Sequence, residues 1–456
     1  MSKVVILAVL ALAGPAVAGW EPDIRLSVTT DPSTTPLSGR GIAASGDGVH
    51  VVWQEGIDPW DHEFPEIYYA RSTNAGAAWE PQHRLTVDSA ISESPCVAAC
   101  APYVHVAWHD SRGGAVSVFH KRSSDNGGTW SADEPVPEAT GTNPVLCADE
   151  DFLHLVHIDW RNSRSDVFYR RSTDRGGNWE PERQLTDTSQ SYSPVVAAAG
   201  DRVYVAWYDY RDGNAEVYFR RSDDRGGSWG PEVRLTNDST VSLEPAIAAS
   251  GPDVHVVWND YRLGGGWIQR ILHRRSTDGG ETWSDQARLT PDTIESYYFS
   301  LAASGPDVHL AWMGHPTSNR ESHIYHARSR DRGQTWGGHA RLTESVSDYA
   351  LRPSVAVLGP GVHVAWCERR DTVSYEEVYY RRDPDGNAAI AEPGAAGAGR
   401  PRPTFVRASA RLGELGLPDR SAVHDAQGRR VALSAPLRPG CYFVRGAGRT
   451  AKLVCY

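Results

Sequence analysis

Apolar and polar residues alternate with a period of two in short runs that recur along most of the chain and end in tryptophan. They read VHVVW at 49–53, VHVAW at 104–108, VYVAW at 203–207, VHVVW at 254–258, VHLAW at 308–312 and VHVAW at 362–366, with LHLVH at 153–157 as a variant. Such alternation predicts strands packed on a core. Before each comes a small-residue run, often after proline, as in SPVVAAA at 193–199 and EPAIAAS at 244–250. After each comes a β-branched and aromatic run, such as EIYYAR at 66–71, DVFYRR at 166–171, EVYFRR at 216–221 or EVYYRR at 377–382. A short RLT segment follows at 84–86, 234–236, 288–290 and 341–343, so each unit holds four strand signals.

The link between the third and fourth strands is the most regular feature. It reads RSTNAGAAW at 71–79, RSSDNGGTW at 122–130, RSTDRGGNW at 171–179, RSDDRGGSW at 221–229, RSTDGGETW at 275–283 and RSRDRGQTW at 328–336, the closing tryptophans lying 49 to 54 residues apart. Four short strands repeated at this length predict a β-propeller, and the second-strand runs count seven blades. The seventh unit has no fourth strand, because the chain after 382 runs into DPDGNAAIAEPGAAGAG, whereas WEPDIRLS at 20–27 matches WEPQHRLT at 79–86. The first segment is therefore expected to complete the last blade and remove its open edge. The expected chain is all-β: a seven-bladed β-propeller closed by the N-terminal strand over 19–383, a linker over 384–403, and a small C-terminal β-sandwich-like module over 404–456.

Composition agrees, since 43 Gly, 29 Pro, 16 Trp and 19 Tyr against 2 Met favour turns and strands over helices. A net charge of −11 argues against a nucleic-acid partner, which requires surplus cations to neutralise phosphates. Residues 1–18 combine Lys3, an apolar run and the small-residue pattern Ala16-Val17-Ala18, the layout of a cleavable secretory signal, and no other stretch approaches a membrane span. Export permits disulfides among the six cysteines. Registering the final hairpin about Gly448 sets Cys441 opposite Cys455 as a cross-strand pair, while Cys96, Cys100, Cys147 and Cys367 receive no assignment.

The motif S-x-D-x-G-x-x-W resembles the Asp box of the sialidase-type, BNR-repeat β-propellers, and with its strands covers about residues 20–383. Its residues here are Ser72, Asn74 and Trp79; Ser123, Asp125 and Trp130; Ser172, Asp174 and Trp179; Ser222, Asp224 and Trp229; Ser276, Asp278 and Trp283; and Ser329, Asp331 and Trp336. The carboxylate is expected to accept backbone N–H bonds in a tight turn, the glycine to take a positive φ, and the tryptophan to pack back on its own hairpin. Six copies around a ring do one structural job. The recurrent histidines of strand two (His50, His105, His154, His255, His309, His363) are structural for the same reason, since one per blade cannot converge on one metal ion. Asp-x-Arg just beyond strand two, as at Asp110/Arg112, Asp159/Arg161, Asp209/Arg211 and Asp260/Arg262, reads as a loop-bracing pair, with the lining of a polar pocket as the alternative.

Chemistry is then sought where the copies differ. The position leading into each innermost strand carries Arg40 or Gly39, Ser94, Asn143, Ser193, Glu244, Tyr298 and Arg352. Sialidases hold a sugar carboxylate with arginines and use a glutamate-activated tyrosine with an aspartate acid/base. The resemblance accordingly implies Arg40, Arg262 and Arg352 as substrate ligands, Asp58 or Asp61 as acid/base, and Glu244 with Tyr298 as the nucleophile pair. The near-uniform blades and short loops favour a noncatalytic propeller that binds a glycan or protein ligand at one face, an exo-sialidase-like hydrolase being the alternative. No cofactor and no metal are expected, and the chain is expected to be a monomer. The tail, with DAQGRRV at 425–431 and LRPGCYFVR at 437–445, resembles the C-terminal sorting domain of type IX secretion cargo. That resemblance implies contact with the secretion machinery and a secreted or outer-membrane-surface location in a Gram-negative-type bacterium.

Overall fold

The computed structural model describes residues 19–387, apart from 29–32, 36–39, 57–63, 88–89, 188–189, 262–268, 318–320, 344–348 and 371–375, and the backbone of five strands beyond 403. The segment 1–18 and residues 388–403 of the expected linker lie outside the described residues. Every strand up to residue 383 falls into one of seven antiparallel sheets, and the described residues contain no helix. These are blades one (33–84), two (92–140), three (142–184), four (191–234), five (242–288), six (294–341) and seven (349–383 with 24–25). Blade four is representative: Ser191–Ala199 lies innermost, followed by Arg202–Asp209, Glu216–Ser222 and Val233–Arg234.

The N-terminal segment closes the ring. Ile24 and Arg25 pair with Tyr380 and Tyr379, and the Glu21 and Leu26 amides donate to the carbonyls of Arg382 and Val378 at 2.9 and 2.8 Å. The Glu21 carboxylate accepts from Arg382 at 2.7 and 2.9 Å, and the buried Glu377 carboxylate takes both Arg25 and Ser27. The apolar core lies between neighbouring sheets. One layer joins Val195, Tyr204 and Phe219 of blade four to Ile247, Val256 and Trp258 of blade five, and another unites Trp20 and Leu26 with blades one and seven.

The tryptophan of each Asp box packs across to the preceding blade, not back on its own hairpin as the motif had implied. Trp130 meets Tyr69, Trp179 meets His120, Trp229 meets Tyr169, Trp283 meets Phe219, Trp336 meets His273 and Trp79 meets Tyr380, edge to face at 4.6–5.5 Å between centroids. Trp20 makes the seventh contact, with His326 at 5.1 Å, so the seam repeats the joint used elsewhere. Such ring pairs add to stability beyond the area they bury. The strand-two histidines supply the layer beneath: His50, His154 and His363 Nδ1 lie 2.6–2.7 Å from Tyr69, Tyr169 and Tyr380 Oη, while His105, His255 and His309 bond His120, His273 and His326. The leading arginine of the first five boxes also reaches into the next blade's turn, as Arg171 Nη1 donates to Arg225 O at 2.8 Å and Arg71 Nη1 to Asn126 O at 3.0 Å.

The box turns follow the expected chemistry. In Asp331 one oxygen accepts from Ser329 Oγ and Thr335 N at 2.7 and 2.8 Å, the other from Thr335 Oγ1. Asn74 reproduces the first two contacts, with Ser72 Oγ and Ala78 N, and its box carries alanine where the others place a serine, threonine, asparagine side chain over the second oxygen. The Asp-x-Arg pairs brace their loops: Arg112, Arg161 and Arg211 bond Asp110, Asp159 and Asp209 at 2.6–2.7 Å while lying over Phe119, Phe168 and Tyr218.

Beyond residue 403 the chain forms a separate unit, a five-stranded sheet in which Thr404–Val406 runs parallel to Arg449–Cys455. The last hairpin pairs Gly446 with Arg449, which sets Cys455 opposite Gly440 and Cys441 opposite Val454. The register expected for a Cys441–Cys455 bridge is therefore one residue off. The hairpin turns about a two-residue link instead of centring on Gly448, and Cys96, Cys100, Cys147 and Cys367 are all free.

Two outcomes follow from these joints. Trp229→Ala removes a ring from a closed interblade contact and is expected to cost about 3–5 kcal/mol in urea unfolding, whereas a loss below about 1 kcal/mol would mean the joint is dispensable. Burial holds His50, His105, His255, His309 and His363 down at about 4. A histidine depressed on folding keeps its full stability above the unfolded pKa near 6.5 and loses it as pH falls toward the folded value. The urea midpoint is thus expected to drop between pH 6.5 and 4, and a flat midpoint across that window would contradict the neutral histidine layer.

Candidate binding site

The innermost strands of blades two to seven begin on the face opposite the Asp boxes, and each loses register near its start. The slips fall between Glu93 and Cys96, Thr142 and Val145, Tyr192 and Val195, Leu243 and Ala246, Tyr297 and Phe299, and Leu351 and Ser354. Within each slip one residue has a positive φ: Ser94 (52°), Asn143 (54°), Ser193 (47°), Glu244 (52°), Tyr298 (36°) and Arg352 (50°). None is glycine and five precede proline. A bulge re-aims the side chain it carries, and a non-glycine residue held at positive φ costs on the order of 1–3 kcal/mol. The positions at which the repeats differ in chemistry are thus the positions at which the backbone is strained.

Five of these residues, Ser94, Asn143, Ser193, Glu244 and Tyr298, line a cavity of about 240 Å³ at the channel mouth, with Phe299 and the prolines 144, 194 and 245 among its walls. Asn259 Nδ2 donates to Glu244 Oε2 at 3.0 Å, and burial raises the Glu244 pKa above the usual carboxylate value against that bond. Tyr298 also borders a second cavity of about 320 Å³ with Tyr297, His315, Tyr349, Arg352 and Glu376. There the Arg352 guanidinium lies 5.9 Å from the Tyr298 ring centroid. Burial raises the Glu376 pKa, opposed by Arg352 and Arg369.

Arg40 is placed deeper. Its Nη2 donates to Val196 O at 3.0 Å and Ile247 O at 2.8 Å, three residues inside the bulges of blades four and five. From blade one it thus spans the channel and ties two other blades through their backbone. Asp58, Asp61 and Arg262 lie outside the described residues. The structure therefore brings Glu244 and Tyr298 into one cavity and Tyr298 and Arg352 into the next, with Arg40 below.

A set of tyrosines at this face had not been singled out. Tyr192, Tyr208 and Tyr210 of blade four form a cluster with centroids 5.4–6.1 Å apart, and Tyr192 directly precedes the cavity residue Ser193. The available signal was the middle residue of Asp-x-Arg, which is Trp160, Tyr210 and Tyr261 in three consecutive blades.

A family model described as a BNR repeat-like domain matches residues 101–285. None of the curated proteins matches the chain in sequence. Among solved structures, the polysaccharide lyase Uly1 is similar at 10% identity over 80% of this chain and 99% of that one, with a TM-score of 0.56. The Hadza microbial sialidase Hz136 aligns at 15% identity over 78% of this chain and 66% of its own, with a TM-score of 0.44. Trypanosoma rangeli sialidase aligns at 11% identity over 77% and 55%, with a TM-score of 0.43. This chain spans less than two thirds of either sialidase. The chain thus carries BNR-like repeats over 101–285, within a ring of seven sheets that makes it a seven-bladed β-propeller.

The strained carboxylate is open to test. A carboxylate whose folded pKa is raised disfavours folding once ionised, so its penalty appears as pH climbs through the folded value. Glu244→Gln is expected to raise the urea midpoint at pH 7 and leave it unchanged at pH 4; equal midpoints at both pH values would show an unperturbed Glu244.

Proposed function

We propose that this propeller is an exported glycan-binding protein that seats an uncharged sugar ring in the mouth cavity and does not cleave it. The observation that carries the reading is the lining. Hydroxyl and amide groups of Ser94, Asn143 and Ser193 stand beside the rings of Tyr298 and Phe299, with a single carboxylate, Glu244, and no cation among the described lining residues. A sugar ring presents hydroxyls at its rim and C–H groups on its faces, which suits convergent polar groups set against aromatic walls. Among the described lining residues an acidic sugar finds no counter-charge, since Arg40 serves backbone carbonyls below and Arg352 borders the neighbouring cavity with Tyr298.

Turnover asks for more. A tyrosine nucleophile needs its base within hydrogen-bond reach, and hydrolysis by carboxylates needs two of them across the bond. Glu244 instead accepts from Asn259, and the half-buried Glu376 borders the neighbouring cavity. The signal-like start and the sorting-type tail support export, with the tail engaging the secretion machinery.

The test is a glycan array followed by calorimetry on the full chain. Saturable binding of neutral saccharides, weakened about tenfold or more by Tyr298→Ala, with no release of fluorophore from sialosides, is the expected result. Release of fluorophore that Tyr298→Phe abolishes would replace this reading with the hydrolase.

A further inference from the structure

Blade four carries at the mouth a group of three rings that the repeat itself does not require. Tyr192 opposes Tyr208 in the register of the first two strands, and Tyr210 follows two residues on. The Tyr192 and Tyr208 rings stack at 5.4 Å and 25°, and the Tyr210 ring stands nearly perpendicular to both, its centroid 6.1 and 5.9 Å from theirs. Among the six blades with a bulge, only this one has tyrosine at all three positions. Blade three places Thr142, Ile158 and Trp160 there, and its propeller geometry is the same.

The group is both open and fixed. Tyr210 is 44% exposed and its two partners are half-buried, so ring surface is left to solvent. The backbone around Tyr210 is held, since Arg211 N donates to Asp209 Oδ1 at 2.8 Å and Gly213 N to Tyr210 O at 3.1 Å, while Ser191 Oγ donates to the same aspartate at 2.9 Å. The charges beside it are engaged with one another: Arg211 bonds Asp209 and Glu232 and lies over Tyr218. A rigid aromatic surface without free charge suits a neutral ring, because little freedom is lost when it is covered.

The group also adjoins the cavity. Tyr192 directly precedes Ser193, the bulge residue in the cavity wall. Successive Cα atoms lie about 3.8 Å apart, so the two surfaces are contiguous. We infer that Tyr192, Tyr208 and Tyr210 form a second subsite, which holds the next sugar of a neutral saccharide whose first unit fills the cavity. This rests on the glycan-binding reading and adds to it the length and direction of the ligand: at least two units, extending over blade four.

The experiment is calorimetry of the full chain with the methyl glycosides of glucose, galactose, mannose and xylose and with disaccharides of the same sugars. For the sugar that binds, the disaccharide is expected to bind about tenfold more tightly than the methyl glycoside. Tyr210→Ala should bring that ratio down to about one, whereas Tyr210→Phe, which keeps the ring, should preserve it. Trp160→Ala, at the same loop position of blade three, should leave the ratio of the parent, and melting temperatures read alongside show that each variant is folded. Tyr298→Ala should weaken both ligands. A parent that binds both ligands equally, or a Tyr210→Ala protein that keeps the full ratio, overturns the subsite and leaves the cavity reading standing. Binding of none of these sugars overturns both.

Discussion

The molecule depends on one joint made seven times, a tryptophan edge set against a ring of the preceding blade. A four-stranded sheet of this size has two apolar faces and no partner of its own, so it is stable only between neighbours. The joint supplies the neighbour with a defined angle. Beneath it the strand-two histidine, or Tyr204 in blade four, holds the receiving ring in place, and above it an arginine reaches into the next turn. Closure requires that the last joint match the others, and Trp20 against His326 makes it do so. The N-terminal segment contributes that ring together with a strand and the ion pair of Glu21 with Arg382.

A frame so regular leaves its variation to one place. Bulges at the mouth hold six non-glycine residues at positive φ, and such strain persists only where surrounding structure fixes it. The outer three strands of each blade provide that constraint. Arg40 adds another, because it crosses the channel to the carbonyls of blades four and five and so ties blades that share no sheet. The mouth is therefore a set of prearranged side chains with differing chemistry, set on a scaffold whose repeated parts carry none.

Most of the architecture was legible because repetition is a property of the linear chain. Spacing counted the blades, and the match between 20–27 and 79–86 located the seam before any coordinates. The site was legible in part: the logic of equivalent positions led to Ser94, Asn143, Ser193, Glu244, Tyr298 and Arg352, all of which share one backbone conformation. The resemblance to sialidases led on to Arg40 as a ligand for sugar, and here spacing had no power. Arg40 stands one place further along the repeat than Arg352, and one side chain extends across the axis while the other stacks toward Tyr298.

Sequence alone settled what is periodic: strand alternation, blade number, turn chemistry and ring closure, because each follows from local pattern or from comparing one unit with the next. Tertiary structure decided direction and company. Whether a tryptophan turns to its own hairpin or to a neighbour, and whether an arginine faces solvent or a carbonyl across the channel, both depend on curvature that brings distant units together. The hairpin at the end of the tail makes the same point, since a single residue of register, set by the length of its turn, decides which residues oppose one another.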